Sequence, residues 1–562
     1  MCSVENVQRS NVLQNKPLVP LPNGRCRINQ LPPEIFSIIF KHGVDNRDSP
    51  EPEDLVEQEQ DFCDDDFSSS YLPGYLPFAF LVSRICKLWR NVALEMPSLW
   101  TTIGVFNTER PPYERVVAYL ERSKSLPLDI CLNHISREAL WSPSVENDNL
   151  KALLTLLVPH LSRWASIRVG VRCYDHMNTF LKAVSDPSVP PATRLEELKL
   201  VHNSGLSLQA TLSEFKFFPH FTLFGGSAPL LRILVLAGVH IDWSQGWLHS
   251  ASNLQILHLS FHDMRVRPSW DAFSAILRGA PALKALEVSY SGPRDYPGEP
   301  LLLPNLLELD LGISLPREVI LLLGKLCTPA LKALTLDFRG QAYDYSDLVA
   351  HLAGPATQAM LSPIEQPCSL LRSLETLSIK GLSGSAEILY RELVNLKVLK
   401  LSKSRVSRSF FELLYPRRLT PSGGGDSFSP NHLQSMFVTF LPSLKNLFLS
   451  GASTCDLKRL VVERRNAGVP LGAIFMRRRP PIDHLTQLIM VRPHAEVPVR
   501  AILVSPRPPT ELSDVVWLRD NLEEFEIIED KDAEESVDEY AALTGSRRLV
   551  WCCRSLLPEY QG

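Results

Sequence analysis

Apolar positions along the chain repeat as a short pattern, L-x-x-L-x-L. It reads LEELKL at 195–200, LRILVL at 231–236, LQILHL at 254–259, LKALEV at 283–288 and LLELDL at 306–311. It continues as LKALTL at 331–336, LETLSI at 374–379, LKVLKL at 396–401 and LKNLFL at 444–449. WASIRV at 164–169 and LEEFEI at 522–527 are degenerate versions. The last two apolar residues of each copy alternate with a different residue, which places them on one face of a short strand. Five copies carry proline two residues before the first leucine, at Pro229, Pro281, Pro304, Pro329 and Pro442. Proline cannot continue a helix, so each is expected to end one before its strand. Between strands, residues 148–161 and 271–279 carry apolar side chains at helical spacing.

Successive copies start 36, 23, 29, 23, 25, 43, 22 and 48 residues apart. The long steps predict either a degenerate repeat or a long loop, such as the Gly-, Ser- and Pro-rich 419–431. Over roughly residues 160–530 the chain resembles the leucine-rich-repeat family, whose units are about 20–29 residues long. No copy is followed by the conventional asparagine of that consensus. The resemblance implies an α/β solenoid, with short parallel strands on a concave face and helices or loops on the convex one. Side chains between and beside the strand leucines would line the concave face. Glu287, Glu308, Asp310 and Asp337 make its middle acidic, and Lys380 and Lys400 turn it basic further on. These six are the candidate contacts for a target protein, with the acidic middle suited to a basic segment.

The N-terminal region follows a different pattern. INQLPPEIFSIIF, residues 28–40, predicts a short helix that is apolar almost all round, so more than one side must be covered. Residues 45–67 hold eleven acids and one arginine, the composition of a solvated, disordered run. Apolar order resumes at 75–105, where Leu81, Val82, Ile85, Leu88, Trp89 and Val92 fall at helical spacing.

Four ordered elements stand here: Leu31-Pro32-Pro33-Glu34, Ile39-Phe40, Ile85 through Arg90 with Cys86 and Trp89, and Leu99-Trp100. Together they resemble an F-box, interrupted by the acidic insertion. The pairing with loose leucine-rich repeats looks like the F-box families expanded in mushroom-forming fungi. The resemblance implies a substrate receptor that docks on the adaptor subunit of an SCF-type cullin–RING ubiquitin ligase, and through it on the cullin. Leu31, Pro32, Pro33, Ile35, Ile38 and Ile39 of the first helix, with Leu81, Ile85, Cys86 and Trp89 of the later segment, would form or support the adaptor contact. The alternative is a repeat scaffold that binds a partner outside any ligase. The expected layout is a tail at 1–27, an F-box-like domain at 28–105 with insertion 45–70, and linking helices or a cap at 106–160. The solenoid follows at 161–530, then an acidic C-terminal segment at 531–562.

Bulk properties narrow the alternatives. The 562 residues carry a formal net charge of -4, which argues against a chain built to hold nucleic acid along its length. No apolar run reaches the roughly 18 residues of a spanning helix, and the N-terminus lacks a secretory pattern. A cytoplasmic or nuclear protein is expected. The eleven cysteines show no C-x-x-C spacing and read as reduced thiols. No phosphate-binding loop, dinucleotide fingerprint, nucleophile elbow or H-E-x-x-H occurs, so no enzyme and no cofactor is expected. His258 and His262 read as surface histidines. Arg464, Arg465 and Arg477 to Arg479 read as decoration of a helix and a loop rather than a nuclear import signal.

Overall fold

A computed structural model describes residues 28, 31–47, 78–106, 110–134, 143–202, 221–244, 246–312, 315–338, 344–354, 369–382, 385–402, 408–418, 437–450, 454–478 and 509–529. The 1–27 tail, most of the acidic insertion, the 419–431 loop and the 531–562 segment lie outside them. The chain divides into two compact units, one of residues 1–103 with 115–126 and one of 104–114 with 127–562.

The second unit is built on a fourteen-stranded sheet whose strands lie side by side in chain order. They are β1 (Thr102–Phe106), β2 (Leu128–His134), β3 (Trp164–Val171), β4 (Glu197–His202), β5 (Ile233–Ala237), β6 (Ile256–Ser260) and β7 (Ala285–Ser289). Then come β8 (Glu308–Gly312), β9 (Ala333–Asp337), β10 (Thr376–Lys380), β11 (Val398–Ser402), β12 (Asn446–Ser450), β13 (Ala473–Arg478) and β14 (Glu524–Glu529). All nine L-x-x-L-x-L copies supply a strand, as do the degenerate 164–169 and 522–527. Neighbouring strands from β2 onward pair in parallel. Each new strand therefore finds its partner in the repeat just before it, as expected of a solenoid.

Two expectations need correction. The 106–160 stretch, expected as linking helices or a cap, also supplies β2 to the sheet. Among the described residues the long steps add no strand to this sheet, β9 neighbouring β10 and β11 neighbouring β12, which fits the long-loop alternative; the second step carries a separate antiparallel pair, Arg417–Arg418 with Phe437–Val438. The prolines act in turns rather than by ending helices next to each strand. Leu231, Leu283, Leu306, Leu331 and Leu444 each donate a backbone N–H to the carbonyl three residues earlier. Proline thus occupies the second position of a four-residue turn, where its fixed φ fits.

These turns are stitched together. Asn253 donates its side-chain amide to the Pro229 carbonyl at 2.9 Å, and Asn305 to Pro281 at 2.9 Å. Asn395 reaches Arg372 at 2.8 Å, and the Ser443 hydroxyl reaches Val394 at 2.8 Å. The amide ladder missing after the strands is found in front of them. Behind them, at the conventional asparagine position, stands His262. Its Nε2 faces the Val239 carbonyl at 3.0 Å, which puts the ring proton there, and its Nδ1 faces the Ser291 hydroxyl at 2.8 Å.

His262 is fully buried, contrary to its reading as a surface residue. Burial pushes its pKa down to about 3, and those of His202 and His240 down to about 4, against an ordinary 6.5. The folded protein keeps these rings neutral where the unfolded chain protonates them. Stability contributed by them is present above pH 6.5 and is lost as pH falls toward 4. The midpoint of thermal unfolding should fall steeply between pH 6.5 and 4.5. Replacing His262 with Asn should flatten that limb; an unchanged limb would contradict the assignment.

Candidate functional site

In the helical unit, the helix Pro33–Arg47 starts with proline at its first position, where the missing N–H is no loss. Phe36, Phe40 and Gly43 form its inner stripe. Phe36 and Phe40 pack on Trp89, with ring centroids 5.4 and 5.2 Å away, and Phe40 also meets Phe78 at 6.3 Å. A Cβ at Gly43 would meet the Phe78 ring at 2.1 Å, so the close approach needs glycine. The later segment, which the spacing suggested was one stripe, is two helices, Phe78–Ile85 and Lys87–Glu95, broken at the extended Cys86. Trp100 closes the unit: its indole N–H donates to the Ala93 carbonyl at 2.8 Å, and its ring meets Tyr119 edge-on at 5.1 Å. Tyr119 comes from the helix Glu114–Arg122, beyond the expected domain boundary.

The candidate adaptor-contact residues separate by burial. Ile35, Ile38 and Ile39 form a second helical stripe, Leu31 lies just ahead of the helix, and all four are exposed, as are Pro32 and Pro33. Ile85 is exposed too, whereas Leu81, Cys86 and Trp89 are half-buried, with Trp89 supporting the inner stripe. Leu88 and Leu94, not singled out from the sequence as contacts, are also exposed. Seven large aliphatic side chains of this unit are thus 37–59% exposed. Scattered single exposures are ordinary; here three of them share one helical stripe.

In the repeat unit, the side chains between the buried leucines form one lateral row. Register places His258 beside Glu287, Glu287 beside Asp310, and Asp310 beside Thr335. Further along, Ser378 stands beside Lys400, Lys400 beside Phe448, and Phe448 beside Phe475. Glu308 lies two residues before Asp310 on the same face, and Asp337 is cross-strand from Lys380.

The structure therefore brings all six candidate target contacts onto one face, but their charge is smaller than the residue types suggest. Burial and the neighbouring Asp310 carboxylate push the Glu287 pKa up, which weakens its charge, and His258 Nδ1 lies 3.3 Å from its carboxylate. Asp337 is partly offset by Lys380 at 4.0 Å. The acidic character rests on Glu308 and Asp310. The basic end is also aromatic: Lys400 sits 5.3 Å above the Phe448 ring, which stacks on Phe475 at 4.4 Å.

Among the described residues no group of His, Cys, Asp and Glu is placed to hold a metal ion, and no helix is long and apolar enough to cross a membrane. Arg464 is fully buried, so it neither decorates a surface nor belongs to an exposed import signal.

No family model matches the chain, and no curated protein matches it. A solved structure, the crystal structure of a TLR13–ssRNA13 complex, aligns at 15% identity and a TM-score of 0.26. The alignment covers 67% of this chain and 58% of that one, so the chain spans little more than half of its length. The fold assignment rests on the strand order and register above.

Proposed function

We propose that this chain is a non-enzymatic receptor that docks on the adaptor of an SCF-type cullin–RING ubiquitin ligase and holds a target protein on its parallel sheet. The carrying observation is the second stripe of the helix Pro33–Arg47. Its inner stripe already completes a core on Trp89, yet Leu31, Ile35, Ile38 and Ile39 remain exposed. Exposed aliphatic anchors on a small rigid unit are what a helix-packing partner buries. Ubiquitin transfer would be performed by the other ligase subunits.

The test is isolation of the full chain, and of a chain lacking residues 28–105, from cell extract. The full chain should bring down adaptor, cullin and target. The shortened chain should keep the target, lose the other two and let the target accumulate. A full chain that carries the target but neither ligase subunit would leave the scaffold reading in place.

On the sheet, complementary charge at Glu308 and Asp310 favours a basic target segment. Replacing both with lysine should weaken target capture about tenfold, on the order of two surface charge contacts. Unchanged capture in a pull-down would remove these residues from the target site.

A further inference from the structure

One position ahead of the strands runs a second lateral row: Glu196, Arg232, Gln255, Lys284, Leu307, Lys332, Glu375, Lys397 and Lys445. Its alignment is fixed by the backbone. Gln255 donates to the Arg232 carbonyl, Lys284 to Gln255, Leu307 to Lys284, Lys332 to Leu307, Glu375 to Lys332, Lys397 to Glu375 and Lys445 to Lys397, all at 2.8–2.9 Å. Each residue is thus one strand spacing from the next.

Arg232, Lys284, Lys332 and Lys397 fall on alternate strands, and Lys445 extends the row by one more. All five are exposed. Two acids stand against them. Glu196 lies 3.5 Å from Arg232, and Glu375 bridges Lys332 at 2.7 Å and Lys397 at 2.6 Å. The bridge tethers both lysines within the row while leaving their side chains 54% and 53% exposed. Among the described residues neither Lys284 nor Lys445 forms an ion pair. From Glu196 to Lys445 the row carries a surplus of three positive charges, two once its continuation through Gly472 to Glu523 is included, on a chain of net charge -4.

We infer that this edge of the sheet is a docking surface for an extended acidic segment of a partner protein, one carrying a carboxylate at every third residue. Strands lie about 4.8 Å apart, so cations on alternate strands recur about every 10 Å. A polyproline-type peptide has three residues per turn and advances about 3.1 Å per residue, so carboxylates at i, i+3 and i+6 share one face about 9 Å apart, close to that period. A helical segment would advance only about 4.5 Å over three residues and would miss it. Leu307, exposed between Lys284 and Lys332, offers an aliphatic contact inside the row. No aromatic ring interrupts the row, and base stacking on such rings is what single-stranded nucleic acid requires. The surface belongs to the repeat unit alone and does not depend on adaptor docking.

The test uses the full chain and fluorescein-labelled peptides in an anisotropy titration. One peptide carries Asp at every third position; a second has the same composition with the Asp residues contiguous. The spaced peptide should bind at least about fivefold more tightly, with binding weakened by salt. Lys284→Glu and Lys332→Glu should each weaken it several-fold, and the triple change with Lys397→Glu should abolish it. Lys182→Glu, an exposed change elsewhere, should have no effect. Equal affinity for the two peptides, or full binding by the triple variant, overturns the inference. So does tighter binding of a single-stranded oligonucleotide of equal charge.

Discussion

Phe40→Ala should destabilise the helical unit by about 3–5 kcal/mol, whereas Ile38→Asp should change its stability by no more than about 0.5 kcal/mol. The two residues sit two positions apart on one helix, yet they face opposite ways. Phe40 is fully buried against Phe36, Phe78 and Trp89, so truncating it leaves a cavity among these three rings. Ile38 is the most exposed residue of the outer stripe. Small units have only about 5–15 kcal/mol in total, so the alanine change removes much of that stability. Urea unfolding followed by hydrogen exchange at the backbone amides of residues 33–47 and 87–95 reads both effects. A large loss at Ile38 would mean that the outer stripe is core and not a docking face.

Arg464→Met should destabilise the repeat unit by about 2–5 kcal/mol. Arg464 lies in the helix Thr454–Asn466 and is fully buried. Its guanidinium donates to the carbonyls of Leu414 at 3.1 Å, Phe440 at 3.2 Å and Leu441 at 2.8 Å. Two effects compete. Burial costs the cation solvation, which lowers its pKa to about 10 while leaving it charged at neutral pH. Methionine would recover that cost, and some buried charges are replaced by apolar residues without loss. Here, however, the replacement leaves the Leu414 and Phe440 carbonyls without a donor and Leu441 with only the Leu444 N–H, at about 1–3 kcal/mol for each orphaned group. The carbonyls decide the sign. A methionine variant as stable as wild type in urea would show that desolvation wins instead.

The repeats were legible because the physics that buries them is simple. Two leucines one residue apart, with a third tucked in from the turn, leave little doubt about which face is inside. The template was too narrow for β13, where Leu471, Ile474 and Met476 occupy the same three places. Any large apolar residue serves, as Trp164, Ile167 and Val169 show in β3. The inner stripe of the first helix was less legible, because the pattern IFSIIF does not say which of its two apolar stripes is covered. That depends on Trp89, some fifty residues away in sequence. The break at Cys86 was hidden because helical spacing runs through it without interruption.

Buried polar residues were the least legible. His262 looks like a turn residue, yet it bridges two neighbouring repeats. Arg464 looks like one of a surface pair, and only its neighbour Arg465 is exposed. Glu287 looks like a full negative charge, but burial and the lateral register that sets it beside Asp310 raise its pKa. In each case the decisive neighbour comes from another repeat, so no local pattern could reveal it.

Calorimetric titration of purified SCF adaptor into the full chain tests the central claim most directly. The account predicts one-to-one binding, and a loss of about a thousandfold on Ile35→Asp with Ile38→Asp, from two desolvated anchors worth about 2 kcal/mol each. The urea midpoint of that variant should stay unchanged. No binding by the wild-type chain, or equal binding by the double variant, would contradict it.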